Sequence, residues 1–423
     1  MSQLRLNKVK YNNVVLFNIF YLLLVLCFAL VVKDEYAFKK AALGYGVNYG
    51  KLVLSLLIIF SNVALLSFSN LKDFHYSISS LILLFFVFPS GVMFVGVTEF
   101  DNRIWLSHNL FFWSVLFLGK IRLRFKIKKI EIMQSKKLLI LIVIIGMIPF
   151  IILFAPHINP RNLLLLDIYE TRSLLDTTIN NLYTDYSYSW FNKFIIPCLL
   201  VFGIYFRDRF TIIVCTLSLI FLYLCGAHKA VFAGLIVTFV LYKYDYIIKI
   251  NYFLKILIVI AIFSLSVAIV FNNDFFMTMS IRRAFLLPAM VDVLYFDMFD
   301  NNHLYWSEVF NGLFAVYPFE HEHSYIIGQR YLDDIEWGAN NGIISDGFMN
   351  FGLIGVLINI MIVGVYISIL NQLNISPRFF GLFFLFVFVI LSSSLTTVLL
   401  THGGIILFLL AFFFMRDTND QMT

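Results

Sequence analysis

Charge is what this 423-residue sequence has least of. Asp, Glu, Lys and Arg make up 13% of it against 61% apolar residues, whereas a soluble globular domain carries roughly a quarter charged residues. A water-soluble exterior is thereby excluded for most of the chain. Cysteine is nearly as scarce. Cys27, Cys198, Cys215 and Cys225 all fall within apolar runs and show no metal-ligand spacing, which excludes a disulfide scaffold and a cysteine metal centre and leaves four small packing or lipid-facing residues. Of the eight prolines, Pro89, Pro149 and Pro197 sit inside apolar runs, where membrane helices tolerate them for packing reasons.

Long apolar runs and aromatics are abundant instead. A helix rises 1.5 Å per residue, so about 20 apolar residues cross a hydrocarbon layer of about 30 Å. Twelve runs fit or approach that length: 14–32, 51–69, 78–98, 104–119, 138–156, 191–206, 210–225, 230–242, 256–271, 347–370 and two within 379–415. As one helix, 379–415 would extend roughly 55 Å, so it is expected to fold back near Ser392, Ser393, Ser394, Thr396 and Thr397. The first run is too long for a signal-peptide core and no small-x-small site follows it, so it is expected to be retained. The fold class that follows is an all-α integral membrane protein of about 12 transmembrane helices in a single polytopic domain.

Orientation comes from the basic residues. Eight of the 31 Lys and Arg lie between Lys120 and Lys137 against the single acid Glu131, a density that disfavours translocation and assigns that segment to the cytoplasmic side. The two longest polar stretches, 157–190 and 272–346, then become outer loops. The net charge of +6 is a topological signal and does not imply nucleic-acid binding.

The span interiors read as nearly free of Asp, Glu, Lys and Arg. Coupled transporters place such groups near the bilayer midplane, so this scarcity argues against ion-coupled transport, although a flippase for a bulky lipid escapes the argument. Chemistry is therefore sought in the outer loops. In 157–190, Arg161 and Arg172 lie among leucines ahead of Tyr183, Tyr186, Tyr188 and Trp190. An interfacial helix with an aromatic belt accounts for this pattern, and so do guanidinium groups placed to clamp a phosphate. His228 and Lys229 occupy the shortest outer turn, where a helix-end lysine ordinarily snorkels. Arg282 and Arg283 open the largest loop, two cations placed outside against the orientation rule, and binding an anion is a reason to place them there.

Beyond them Tyr295, Phe296, His303, Tyr305, Trp306, Glu308, Tyr317, Tyr325, Tyr331 and Trp337 interleave aromatic faces with polar groups. A sugar ring needs that combination, because its CH face stacks and its hydroxyls hydrogen-bond; the same residues also serve to anchor a loop at a membrane surface. In an extended segment, Glu320, His321, Glu322 and His323 put both histidines on one face and both glutamates on the other, which argues against a metal site.

The GAHKA turn, the segment IRRAFLLPAMVDVLYFDMF and the segment GANNGIISDGFMNFGLIGVLI, in this order among the spans, resemble the Wzy-type O-antigen and capsule repeat-unit polymerases. The resemblance implies a GT-C-like glycosyltransferase of the bacterial inner membrane. Its donor and acceptor are undecaprenyl-diphosphate-linked oligosaccharides at the periplasmic face, it needs no cofactor or metal, and a chain-length regulator in the same membrane is a possible partner. Arg161, Arg172, Lys229, Arg282 and Arg283 are then nearly the whole supply of cations to meet a lipid diphosphate, with Arg330 in reserve and His228 a further substrate contact. Asp292, Glu308, Asp346 and His303 are the candidate bases, and Tyr305, Asn340 and Asn341 candidate substrate contacts. The related O-antigen ligases typically carry Ser-Arg where this chain has His228-Lys229, and a His-Asn pair where it has Asn340-Asn341 after Ala339. That departure favours polymerase over ligase.

Overall fold

The computed structural model describes residues 3–34, 45–69, 71–121, 132–158, 161, 181–226, 230–310, 312, 315–332 and 337–416. In chain order the helices are α1 (Lys8–Val32), α2 (Tyr49–Phe68), α3 (Asp73–Gly96), α4 (Asn102–Leu118), α5 (Gln134–His157), α6 (Leu182–Phe206) and α7 (Arg209–Gly226). They continue with α8 (Ala230–Leu241), α9 (Tyr246–Phe271), α10 (275–298), α11 (His323–Leu332), α12 (Ile343–Gln372), α13 (Pro377–Ile390) and α14 (Leu395–Phe413). No strand forms among the described residues, only two isolated bridges, Tyr45 with Val97 and Ile375 with Arg416. All twelve apolar runs are helical, and among the described residues eight helices are long and apolar enough to cross a membrane: α1, α2, α3, α5, α6, α9, α12 and α14. The chain is thus an α-helical membrane protein. Its basic segment 122–131 lies outside the described residues.

The chain divides into two compact units, residues 1–122, 245–369 and 390–395 in the first and residues 123–244, 370–389 and 396–423 in the second. In the first, α3 is the central helix. Every residue from Phe74 to Val97 is buried, as expected of a helix apolar on all sides. Phe88 meets Phe17 of α1 edge-on at 6.1 Å, and Phe85 stacks on Phe285 of α10 at 4.9 Å. Gly96 admits the Phe28 ring, which an added Cβ would meet at 2.0 Å.

Helix α10 takes up the first part of the polar stretch 272–346. It packs on α3 and α9, winds as a π-helix from Thr278 to Leu286, and buries every residue from Ala289 to Phe296. The sequence reading placed this segment in a loop because Arg282, Arg283, Asp292 and Asp297 interrupt its apolar run. Wide π turns are rare and recur at functional sites.

The helix α12 is broken. Phe351 (φ −143°, ψ 22°) and Gly352 (φ 61°, ψ −147°) leave helical geometry, dividing it into α12a (343–350) and α12b (353–372). A straight helix would separate residues 343 and 359 by about 24 Å, yet Asn359 Nδ2 donates to the Ile343 carbonyl at 2.9 Å. Gly347 and Gly355 lie backbone to backbone, a Cβ on the former falling 2.6 Å from the Gly355 carbonyl oxygen. The two halves are antiparallel. Eight residues span only about 12 Å and cannot cross a bilayer, whereas the twenty of α12b span about 30 Å. Helix α12a is therefore re-entrant.

The stretch 379–415 folds back as expected. Helix stops at residues 391–394, and the ends of the stretch meet where Ser376 N–H donates to the Met415 carbonyl at 3.0 Å. Tyr183 of α6 donates to the Gly146 carbonyl of α5 at 2.9 Å, and the Lys136 ammonium bonds Asp208 in the turn between α6 and α7.

Candidate functional site

Helix α12a ends inside the first unit, so its last carbonyls need donors that water cannot supply. The loop after α10 provides them. Leu304 N–H donates to Met349 O at 2.9 Å and Tyr305 N–H to Asn350 O at 3.1 Å, while Trp306 N–H reaches Asn350 Oδ1 at 2.8 Å. To make this approach Tyr305 and Trp306 both adopt left-handed backbone, φ 53° and 57°, a conformation that costs about 1 to 3 kcal/mol for a residue with a side chain. Their rings close around Phe351, edge-on at 5.6 and 5.0 Å, and His303 meets Phe348 edge-on at 5.9 Å.

Asp346 holds the other side of α12a. It is buried, and its carboxylate accepts from Asn350 Nδ2 at 3.0 Å, Asn359 Nδ2 at 3.1 Å and the backbone N–H of Leu395 at 3.0 Å. Those three donors bind together the re-entrant half, the spanning half and the start of α14. Asp346 is thus placed as a tie between elements.

Asp292 is also buried, against a residue the sequence reading passed over. His108 Nδ1 faces the Ile104 carbonyl at 2.8 Å, which can only accept, so Nδ1 carries a proton; Nε2 faces Asp292 Oδ2 at 3.1 Å. A lone histidine in an apolar run gives no signal that its partner sits 184 positions later.

Glu308 is the exposed member of the set. Its carboxylate lies 2.6 Å from His323 Nδ1, with side-chain exposures of 26% and 11%. His323 opens α11 and turns inward while His321 stays exposed, which corrects the expectation that both histidines share one face: the extended segment ends at His323.

Tyr295 gathers the three carboxylates. Burial, then the negative charges of Glu308 and Asp346, the neighbouring Tyr317 and the charge of Asp292 hold its phenol well above the ordinary tyrosine range, and its hydroxyl donates to the Ala339 carbonyl at 2.7 Å. That bond fixes the Ala339-Asn340-Asn341 segment ahead of α12a. Asn340 is exposed; Asn341 is buried, and its Nδ2 makes no hydrogen bond among the described residues.

The structure brings together Asp292, His303, Tyr305, Glu308, Asn341 and Asp346. The cations are distributed differently. Arg282 is half-buried and Arg283 exposed on the π-helical part of α10, and Arg283 stands nine residues before Asp292, about 13 Å along a helix axis. The arginine at the cluster itself is Arg103, absent from the sequence reading. It pairs with Asp101 and Asp300, each at 2.6 Å, and covers the Phe348 ring at 5.4 Å. Its only sequence signal was a position in a short outer turn. Arg161 is exposed in the second unit, whereas Arg172, His228 and Lys229 lie outside the described residues.

Few Asp, Glu, Lys or Arg fall within the apolar runs themselves, as expected, and the buried ionisable groups lie mostly outside those runs. Asp292, Asp346, His108 and Lys249 are buried within helices of the first unit, and in the second Lys193 of α6 bonds His402 at 2.8 Å. The apolar-run boundaries had excluded most of them. No family model, characterised protein or solved structure matches the chain.

Proposed function

We propose that the chain is a lipid-linked repeat-unit polymerase, a GT-C-like glycosyltransferase with about 12 transmembrane helices in the bacterial inner membrane. It moves a growing glycan from undecaprenyl diphosphate onto a new lipid-linked repeat unit at the periplasmic face. The observation that carries this reading is the part-exposed Glu308 carboxylate, 2.6 Å from His323 Nδ1, in the same unit as the buried Asp292 and Asp346. In the reaction the acceptor hydroxyl attacks the anomeric carbon, the bond from that carbon to the lipid diphosphate breaks, and the hydroxyl proton passes to a base. Glu308 takes that proton, and His323, 2.6 Å away, orients its carboxylate. Asp346 and Asp292 are committed to buried partners and hold the scaffold. Tyr305, exposed and beside His303, offers a ring face to a sugar. Arg283, with Arg282 beside it, meets the departing diphosphate, and a substrate of several sugars covers the distance between the arginines and the carboxylates.

Deleting the gene tests this reading. Surface lipid carrying one repeat unit only is the expected product, because export and attachment continue while elongation stops. Long polymer left on undecaprenyl diphosphate and none attached would identify a ligase. A glycolipid ladder of unchanged length distribution would sink the polymerase assignment.

One observation favours a second reading, a flippase for lipid-linked oligosaccharide. A re-entrant half-helix, with a buried carboxylate beside the helix break at 391–394, is an architecture that transporters use around their binding sites. Under that reading the deletion traps lipid-linked repeats inside the cell and leaves the surface bare.

A further inference from the structure

A groove of about 860 Å³ runs along the first unit between α1 and α2, on the side of α1 away from its contact with α9. Its two ends differ chemically. At one, Lys10 and Tyr11 supply the polar groups, and the Lys10 ammonium lies over the Tyr76 ring at 5.4 Å. From there Val15, Ile19, Phe60 and Ala64 form apolar walls as far as Leu22 and Leu56, interrupted by Asn18, whose amide donates to the Val14 carbonyl of its own helix at 2.8 Å. An occupant must therefore be an amphiphile, with its head at Lys10 and its tail toward Leu22.

Length decides which kind. Lys10 and Leu22 are twelve residues apart on one helix, about 18 Å along its axis, little more than half of a hydrocarbon core of about 30 Å. That is one leaflet. The acyl chain of a phospholipid occupies one leaflet, whereas a long polyprenyl chain greatly exceeds it. Charge decides the head. Among the described residues that line the groove, Lys10 alone is charged; Lys8 and Lys72 are its neighbours in sequence or at the start of α3, and they outnumber the two carboxylates there, Asp73, which feels Lys10, and Asp245, which Asp73 feels. Juxtamembrane lysines attract anionic lipid by about 1 kcal/mol each.

We infer that this groove holds one acyl chain of an anionic phospholipid, its phosphate at Lys10. The site lies on helices that carry none of the carboxylates of the proposed glycosyl-transfer site. With the amino terminus inside, as the basic segment implies, the lipid belongs to the cytoplasmic leaflet, opposite the face where the proposed chemistry occurs.

Native mass spectrometry of the full chain released from nanodiscs containing equal phosphatidylglycerol and phosphatidylcholine tests this. The expected result is one retained phosphatidylglycerol, favoured several-fold over phosphatidylcholine. Ala64→Trp, which fills the groove, should abolish retention of both lipids. Lys10→Ala leaves the walls intact and should keep a bound lipid while erasing the headgroup preference, so the idea stands testable even if the tryptophan variant does not fold. No retained lipid in the wild type, equal retention of both headgroups, undiminished retention in a folded Ala64→Trp, or displacement of the phospholipid by added undecaprenyl phosphate would each overturn it.

Discussion

The carboxylates of Glu308, Asp346 and Asp208 have different surroundings, and those surroundings predict different losses. Glu308→Gln removes the proton acceptor while keeping shape, so polymer formation should fall on the order of 100-fold or more, with the protein still present in membranes at normal level; a normal gel ladder from this variant would remove Glu308 from the chemistry. Asp346→Leu orphans the Leu395 N–H and leaves the Asn359 amide with the Ile343 carbonyl alone. Each orphaned buried donor costs about 1 to 3 kcal/mol, so the melting temperature in detergent should drop clearly, whereas Glu308→Gln should leave it within a degree or two. Asp208 answers to pH. The Lys136 contact, followed by the Thr211 hydroxyl, lowers its carboxyl from 3.8 to about 2. A depressed folded value means stability that is present above the unfolded value and lost as pH falls through the folded one. Asp208→Asn should therefore melt earlier than wild type at pH 6, and the gap should narrow between pH 4 and pH 2; a gap that stays constant would mean that the ion pair contributes nothing.

At the scale of elements, the re-entrant hairpin depends on three glycines with different reasons to be there. Gly347 and Gly355 are required by distance, since a Cβ on Gly355 would lie 2.0 Å from the Gly347 carbonyl oxygen. Backbone against backbone leaves nothing flexible to yield, so Gly355→Val should prevent accumulation of folded protein, scored by recovery of a monodisperse peak after detergent extraction. Gly352 is required by conformation, because φ 61° with ψ −147° is open to glycine and costs other residues about 1 to 3 kcal/mol. Gly352→Ala should fold and melt lower. The sequence located the helices well, because a run long enough for a bilayer has few other uses, and the fold-back near Ser392 followed from length alone. It did not reveal α12a. Gly352 inside an apolar run reads like any glycine of a membrane helix, and the pairing of Asn359 with Ile343 has no local signature. Asp292 and Glu308 were visible as chemistry-bearing residues, but His108 and Arg103 were not, since their importance comes from partners distant in the chain.

For the whole molecule the decisive quantity is orientation, on which the assignment of the loop 299–342 to the outer face rests. A reporter active only outside the cytoplasm should be silent when fused at Lys128 and active when fused at Tyr325, and the opposite pattern would move the carboxylate cluster to the cytoplasmic side. One contact also sets an order of events during synthesis. Asp346 receives the N–H of Leu395, which lies 49 residues further along the chain. At translation rates of about 5 to 20 residues per second, Asp346 waits roughly 2 to 10 s for that donor. During this wait α12a is a short polar-bearing helix with one of its three ties missing, a poor candidate for stable burial on its own. The nascent chain must keep it at the membrane surface, or within whatever machinery inserts it, until α14 emerges. A ribosome stalled before Leu395 would thus leave behind a protein whose early helices are all inserted and whose proposed catalytic pocket has not yet closed.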